Sequence, residues 1–121
     1  MNAGRNIDVA AALTASTDVT LSALTGNLTT TGTLTVGGAL NASAGANATF
    51  GASIAATGDI NASAAGALTV SGSMAGQSNG TLTAGTDLGG AGTVSFGNAA
   101  TLAAGHDTAL TGTLSAQTIK V

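Results

Sequence analysis

The residues that could perform chemistry are few in this sequence. Its 121 residues include one His, five acidic side chains, two cationic side chains and no Cys. His106 is followed directly by Asp107, and a His beside a carboxylate can serve as the general base of a hydrolase. Such a triad also needs a nucleophile and an oxyanion hole, and no nucleophile arrangement accompanies this pair. We therefore predict that His106 is a solvated turn residue and that the chain is not an enzyme.

A second candidate is a cation site, because carboxylate and amide oxygens are suitable ligands for calcium. The stretch 85–92 is rich in Gly and contains one Asp, which faintly resembles glycine-rich calcium-binding repeats. Those repeats need an Asp at nine-residue spacing in consecutive turns, and here it does not recur. We therefore predict turn-forming residues that bond to their own backbone, with no metal and no cofactor. The residues concerned are Asn27, Asn47, Asp59, Asp87 and Asp107.

A third candidate is a surface of hydroxyl side chains. Ser and Thr recur at two positions of a twenty-residue period, which places them in two columns on the outward face of one strand. Flat hydroxyl ladders of this kind occur in ice-binding solenoids, but Ala55 and Ala75 interrupt the second column, and β-propensity alone also favours Thr at such positions. The candidate ladder surface consists of Thr33, Thr35, Ser53, Ser73, Thr93, Ser95, Thr113 and Ser115.

The elements that must position these residues follow from a repeat of twenty residues. A fixed period shared by several independent columns is the signature of a repeat architecture. In the clearest column, Leu13 precedes the first regular member, Leu34, by twenty-one residues instead of twenty. That column contains Leu34, Ile54, Met74, Val94 and Leu114, and a second contains Ala44, Ala64, Ala84 and Ala104.

Each period contains three short runs of alternating apolar and polar residues, such as 27–30, 33–36 and 39–42. Alternation indicates strands with one buried face, and the intervening Gly, Asn, Ser and Thr tolerate turns. Identical residue types at fixed spacing favour parallel, in-register stacking over antiparallel hairpins. The predicted fold is all-β, a right-handed parallel β-helix (β-solenoid) of about six coils with three short strands per coil. Residues 1–121 are expected to form a single β-solenoid repeat domain with no evident caps.

The inward columns of this solenoid can also be predicted. On the third strand the large residue shifts by two positions along the chain, so that neighbouring small residues must vacate the space. Phe50 and Phe96 are predicted to be local plugs at coil corners. The columns are the Leu34 column on one face, Leu28, Ala48, Leu68 and Leu88 on another, and Leu40 with Ala42, Ile60 with Ala62, Leu82 and Leu102 on the third.

The composition of the chain argues against nucleic acid as a partner and against a membrane span. The net charge of −3 is small, and only two residues are aromatic, so there is no basic patch for phosphates and no platform for stacked bases. We therefore predict no nucleic-acid binding. No stretch of roughly 18 apolar residues is free of Thr, Asn, Ser or Gly, which predicts no membrane span.

Several segments resemble the repeats of filamentous haemagglutinin-like adhesins, which are exported by two-partner secretion. Residues 104–107 (AGHD) leading to 110–116 (LTGTLSA) carry the resemblance, as do 26–29 (GNLT) with 32–35 (GTLT). The resemblance extends over nearly the whole chain. It implies a β-helical shaft on an extracellular bacterial cell surface, holding a binding tip away from the cell. The Asn-Pro-Asn-Gly type of secretion motif is absent, because the sequence contains no Pro.

The expected function is that of a structural shaft or fibre-forming segment of such an adhesin-like surface protein. Its expected partners are other copies of itself, through end-to-end coil stacking, or the remainder of a longer adhesin, with a host glycan or receptor unknown. Arg5 and Lys120, the only cations, lie at opposite ends of the chain. The alternative is a carbohydrate- or ice-binding β-solenoid that uses the outward Thr/Ser ladder.

Overall fold

A computed structural model describes all 121 residues, and every regular element in it is a β-strand. The strands are short, two to six residues each, because each run of alternating residues ends at a turn. They are β1 (Asn2–Ala3), β2 (Ile7–Val9), β3 (Leu13–Ala15), β4 (Val19–Ala23), β5 (Leu28–Thr30), β6 (Leu34–Val36), β7 (Leu40–Ala44), β8 (Ala48–Phe50), β9 (Ile54–Ala56), β10 (Ile60–Ala64), β11 (Leu68–Val70), β12 (Ser73–Gly76), β13 (Gly80–Ala84), β14 (Leu88–Gly90), β15 (Thr93–Phe96), β16 (Ala99–Ala104), β17 (Thr108–Leu110), β18 (Leu114–Ser115) and β19 (Thr118–Lys120).

Every third strand along the chain belongs to the same sheet, and all pairs are parallel. Sheet A contains seven strands in the order β1-β4-β7-β10-β13-β16-β19, sheet B runs from β2 to β17 with six strands, and sheet C runs from β3 to β18 with six. Most partners are twenty residues apart, as in the pairing of Leu68 with Ala48 and with Leu88. The predicted β-solenoid, with three strands per coil and a twenty-residue repeat, is confirmed. Its six coils form a rod about 29 Å long.

The extra residue near the N-terminus lies in one turn. Ala3 pairs with Ala23 at a separation of twenty, whereas Ile7 pairs with Leu28 at twenty-one. The turn 24–27 between β4 and β5 therefore holds four residues, where the turn 45–47 in the next coil holds three. Leu24 in this longer turn is 63% exposed. The extra residue lies in a turn and not in a strand, so the same side of each strand continues to face inward.

One continuous core fills the solenoid. It consists of 28 buried hydrophobic residues, and strands in the middle of the rod, such as β7 and β10, alternate between buried and exposed positions. The three predicted inward columns are buried, including the shift on sheet A, except that Leu114 at the end of its column is only partly buried. In one column of sheet A, Leu40 and Ile60 are followed by Gly80 and Ala100 in the next two coils. In the column two residues further along the strands, Ala62 is followed by Leu82.

Phe50 and Phe96 are the last residues of β8 and β15, and both are buried in the core rather than placed in the turns. The Phe96 ring occupies space left by two glycines. A Cβ atom built on Gly80 would lie within 3.0 Å of ring atoms, and one on Gly76 would lie 3.0 Å from Phe96 Cδ1. Sheet A, through Gly80, and sheet C, through Gly76, therefore both leave room for this one aromatic ring.

Two irregular positions lie in a second column of sheet B, two residues after the Leu28 column. Thr30 is fully buried, and its hydroxyl oxygen has no hydrogen-bond partner. Gly90 has a φ of 134°, the only positive φ in the chain, in a region that side chains rarely adopt. A Cβ at this position would also collide with the carbonyl of Val70.

Candidate functional site

The structure places the predicted ladder surface on the outward face of sheet C. Ser73 and Thr93 are paired in register within β12 and β15, and Ser95 pairs with Ser115. All the ladder residues are exposed except Ser95, which is partly buried. These residues therefore lie on one face of the rod, on strands that are about 4.8 Å apart along the axis.

Two alanines divide this ladder. Ala55 and Ala75 pair with each other at its centre, between Thr35 and Ser95. They line a shallow groove of about 450 Å³ together with Thr57 and Gln77 of the adjoining turns. The column through Thr35 and Ser95 is thus apolar at its middle. Only the column that begins at Thr33 has hydroxyl groups in every coil.

Sheet A carries a second polar face, which the sequence-based prediction did not include. We refer to it as the polar face of sheet A. Asn61 Nδ2 donates a hydrogen bond to Asn41 Oδ1 at 3.0 Å, and Ser43 Oγ lies 3.4 Å from Ser22 Oγ. A shallow groove of about 260 Å³ lies along it. Its columns are Thr20, Asn41, Asn61, Thr81 and Thr101, and Ser22, Ser43, Ser63 and Thr83.

The signal for this face was present in the sequence, because Asn41, Asn61, Thr81 and Thr101 stand twenty residues apart. Polar residues are uninterrupted over five coils in one column and four in the other. Sheet A, rather than sheet C, therefore presents the more regular polar surface.

The corners of the solenoid carry side-chain to backbone hydrogen bonds. At the corner before sheet B, Asn27 Oδ1 accepts the Asn47 N–H at 3.0 Å, and Asn47 Oδ1 accepts the Ala67 N–H at 2.9 Å. Asn6 Oδ1 accepts the Asn27 N–H at 2.9 Å, and Asp87 Oδ1 lies 3.4 Å from the Asp107 N. We call these residues the sheet B corner ladder. In every bond of this ladder, a side-chain oxygen accepts a backbone N–H of the next coil.

A second corner ladder precedes sheet A. Asp18 Oδ1 accepts the Ala39 N–H at 2.7 Å, and Asp59 Oδ1 accepts the Asn79 N–H at 2.9 Å. Asn79 Oδ1 in turn accepts the Ala99 N–H at 3.2 Å. The expectation that corner Asx side chains bond to their own turns is therefore wrong for Asn27, Asn47, Asp59 and Asp87. They join successive coils, because the corner column places each N–H directly above the preceding side chain.

This geometry has an electrostatic consequence at Asp59. The N–H of Asn79, together with a hydrogen bond from the Ser78 side chain, lowers the pKa of the Asp59 carboxyl, and the small opposing effect of burial does not cancel this. Hydrogen bonds to a carboxylate favour its charged form. Asp59 thus stays ionised into the acid range, where it continues to hold the next coil.

His106 lies near an acid of the preceding coil rather than forming a reactive pair with its neighbour in sequence. Its Nδ1 is 4.0 Å from Asp87 Oδ1, and the two side chains are 71% and 62% exposed. An ion pair this exposed contributes little to stability. No group of three or more His, Cys, Asp or Glu side chains is placed to hold a metal ion.

The chain matches no family model, no curated protein and no solved structure. It also contains no helix with the length and hydropathy needed to cross a membrane. Its function must therefore be argued from the geometry of the solenoid itself.

The dominant feature of that geometry is the direction of the backbone hydrogen bonds. Of 81 backbone bonds, 42 lie within the parallel sheets, and each of the other 39 also joins residues in successive coils. Examples are Ala46 N–H to Gly26 O at 2.9 Å and Gly66 N–H to Ala46 O at 2.7 Å, both in the turns. Turns and strands alike are thus bonded along the rod axis.

Proposed function

We propose that the chain is a stiff shaft segment of an extracellular bacterial surface protein of the adhesin type. The observation that carries this proposal is that all the backbone hydrogen bonds run between coils. A rod built in this way resists bending, since tilting one coil against the next strains bonds on all three sheets together. The corner ladders add side-chain bonds in the same direction.

The surface chemistry of the chain suits such a role. The outward positions carry mainly Thr, Ser, Asn and Ala, and the net charge is only −3. Neighbouring rods with so few charges would neither repel strongly nor be held by salt bridges. The segment would therefore act by length and rigidity, and specific recognition would belong to another part of the same surface structure.

Localisation is the direct test of this proposal. Antibodies raised against the folded chain should label intact, unpermeabilised cells of the source bacterium in immunogold electron microscopy. Protease added to intact cells should remove the label, while an antibody against a cytoplasmic protein serves as the control for cell integrity. Labelling that appears only after permeabilisation would contradict the proposal.

A second candidate function is carbohydrate or ice binding, and the polar face of sheet A is the observation that favours it. Its amide and hydroxyl groups form an unbroken array along the rod. The test is a glycan-array screen together with an assay of ice recrystallisation. Asn61→Ala with Thr81→Ala should remove such binding, whereas Ser53→Ala with Ser73→Ala on sheet C should not. Unchanged behaviour of both variants, or no binding by the wild type, excludes this candidate.

A further inference from the structure

One corner of the solenoid joins an asparagine directly to a glycine. Asn79 is the last residue of the turn before β13, and Gly80 is the first residue of that strand. They form the only Asn-Gly pair in the sequence. Asparagine is among the chemically labile side chains of proteins, and a following glycine lacks the Cβ that would hinder attack by its backbone nitrogen. The pair therefore combines the two residue types that favour self-modification of the chain.

Hydrogen bonding and packing explain why these two residues stand together. Asn79 belongs to the corner ladder that precedes sheet A, where its Oδ1 accepts the Ala99 N–H at 3.2 Å. The ring of Phe96 leaves no room for a Cβ on Gly80. The neighbouring coils carry a side chain at the position of this glycine. The labile pair is thus a by-product of two structural requirements that coincide in this coil alone.

We propose that Asn79 and Gly80 form a deamidation site that reacts only when its coil opens, so that the modification records the opening. In the first step, the backbone nitrogen of Gly80 gives up its proton and bonds to Cγ of Asn79. The bond between Cγ and Nδ2 breaks, and ammonia leaves with the proton that the backbone nitrogen gave up. The product is a cyclic imide, a succinimide, within the main chain.

Water then opens the succinimide at either of its two carbonyl carbons. Attack at Cγ breaks its bond to the Gly80 nitrogen and leaves an aspartate in an ordinary chain. Attack at the main-chain carbonyl carbon breaks the bond from that carbon to the same nitrogen, and the chain then runs through the former side chain as isoaspartate. Isoaspartate lengthens the main chain by a methylene group. This addition shifts β13 against β10 and β16, with which it pairs residue by residue.

The closed coil holds Asn79 away from the reactive geometry. Its N–H donates to Asp59 Oδ1 at 2.9 Å, and its C=O accepts the Ile60 N–H at 3.0 Å. Its Oδ1 is held by the Ala99 N–H of the following coil. Attack requires the side chain to swing back over the Gly80 nitrogen, which breaks this last hydrogen bond. Asn79 is therefore restrained from both neighbouring coils.

Gly80, which supplies the attacking nitrogen, is restrained by the same coils. It is buried, and it pairs in register with Ile60 of the preceding coil and Ala100 of the following one. Backbone N–H groups of a sheet point towards the paired strands, so a base in solution does not reach this proton while the coil is closed. Opening of the one coil releases both reacting groups, and local openings need less free energy than global unfolding.

Peptide mapping by mass spectrometry tests the site and its protection. The wild-type chain is incubated at mildly alkaline pH in native buffer and in denaturing urea, and the loss of amide is followed at each asparagine. Asn79 should react at least about tenfold faster in urea, because the reaction in native buffer requires the coil to open first. Asn61 is exposed on sheet A but followed by Ala62, and it should react much more slowly than Asn79 in urea. Equal rates at the two asparagines in urea, or equal rates at Asn79 with and without urea, would overturn the proposal.

Substitutions in the corner ladder test whether the opening is local. Asp59→Ala removes the acceptor of the Asn79 N–H and should speed the modification in native buffer but not in urea. Asp18→Ala is the matched control, because it removes the same kind of bond, to Ala39, in an earlier coil, and it should leave the native rate unchanged. Ser78→Ala, which removes only a supporting hydrogen bond of Asp59, repeats the test with a milder change in case Asp59→Ala loses its β-sheet circular dichroism spectrum. Equal acceleration by the substitutions at positions 18 and 59, or no acceleration by those at 59 and 78, would overturn protection by this coil.

Discussion

The ring of Phe96 fills the space above Gly80, a residue of a different sheet, so closely that no side chain fits at that glycine. In the two neighbouring coils the same column holds Ile60 and Ala100. The backbone therefore accepts a side chain at this position, and only the aromatic ring excludes one. This makes the pair a sensitive test of core packing.

Gly80→Ala should destabilise the chain by about 1 to 3 kcal/mol, the usual cost of overpacking a core. Urea unfolding followed by circular dichroism measures the change. Combining Gly80→Ala with Phe96→Leu should recover part of the loss, because the smaller side chain leaves room for the methyl group. Gly4→Ala is the matched control, since a Cβ there meets nothing within 4 Å. Additive effects of the two core substitutions would contradict this packing.

Thr30→Val should stabilise the chain by about 1 kcal/mol, since it removes a buried hydroxyl that lacks a partner and keeps the side-chain shape. The same unfolding measurement applies. Thr29→Val, on the outward side of the same strand, serves as the control and should change stability much less. A loss of stability in Thr30→Val would show that the hydroxyl is hydrogen-bonded in the folded chain.

The corner ladders predict a difference between two substitutions at Asn47. Asn47→Ala removes the acceptor of the Ala67 N–H and should cost about 1 kcal/mol, the typical net value of one hydrogen bond. Asn47→Asp retains the acceptor and should cost less. Asn98→Ala is a suitable control, because its side chain takes part in no side-chain hydrogen bond of the structure. Equal losses for Ala and Asp at position 47 would contradict the role of the ladder.

The lowered pKa of Asp59 predicts a dependence of stability on acid. A carboxyl whose pKa is lower in the folded chain than in the unfolded chain contributes stability above its unfolded value. That contribution is lost as the pH falls below about 4 and through the folded pKa. The thermal midpoint should thus fall on acidification, and Asp59→Asn, which keeps an oxygen acceptor but cannot titrate, should show a smaller fall between pH 5 and pH 2. An identical fall in both chains would show that other acids account for it.

Much of the fold could be predicted because the residues that define it recur at a fixed period along the chain. The column through Leu34, Ile54 and Met74 fixes both the coil length and one inward face. Alternation within each period then identifies the strands and their buried sides. These features are local or repeat at a fixed distance, so no knowledge of packing between sheets is needed.

Other features depend on neighbours that the period does not connect. Phe96 meets Gly76 in the strand of the preceding coil and Gly80 in another sheet, and only the closed coil brings the three together. The sequence predicts only ordinary turn formers at the corner Asx residues, because their acceptor role requires a backbone N–H from the next coil. The continuous polar face of sheet A is not predicted by the inward columns of its strands, because outward residues do not take part in core packing.

The central claim is that the chain is a rod whose length grows coil by coil, and a series of chain lengths tests it directly. Deleting residues 45–64 removes one period, and duplicating 45–84 adds two, with the register kept in each case. Small-angle X-ray scattering, measured at several concentrations and extrapolated to infinite dilution, should show a length that changes by about 4.8 Å per coil at constant cross-section. Chains that thicken with added coils, or that unfold after loss of one whole period, would contradict the account.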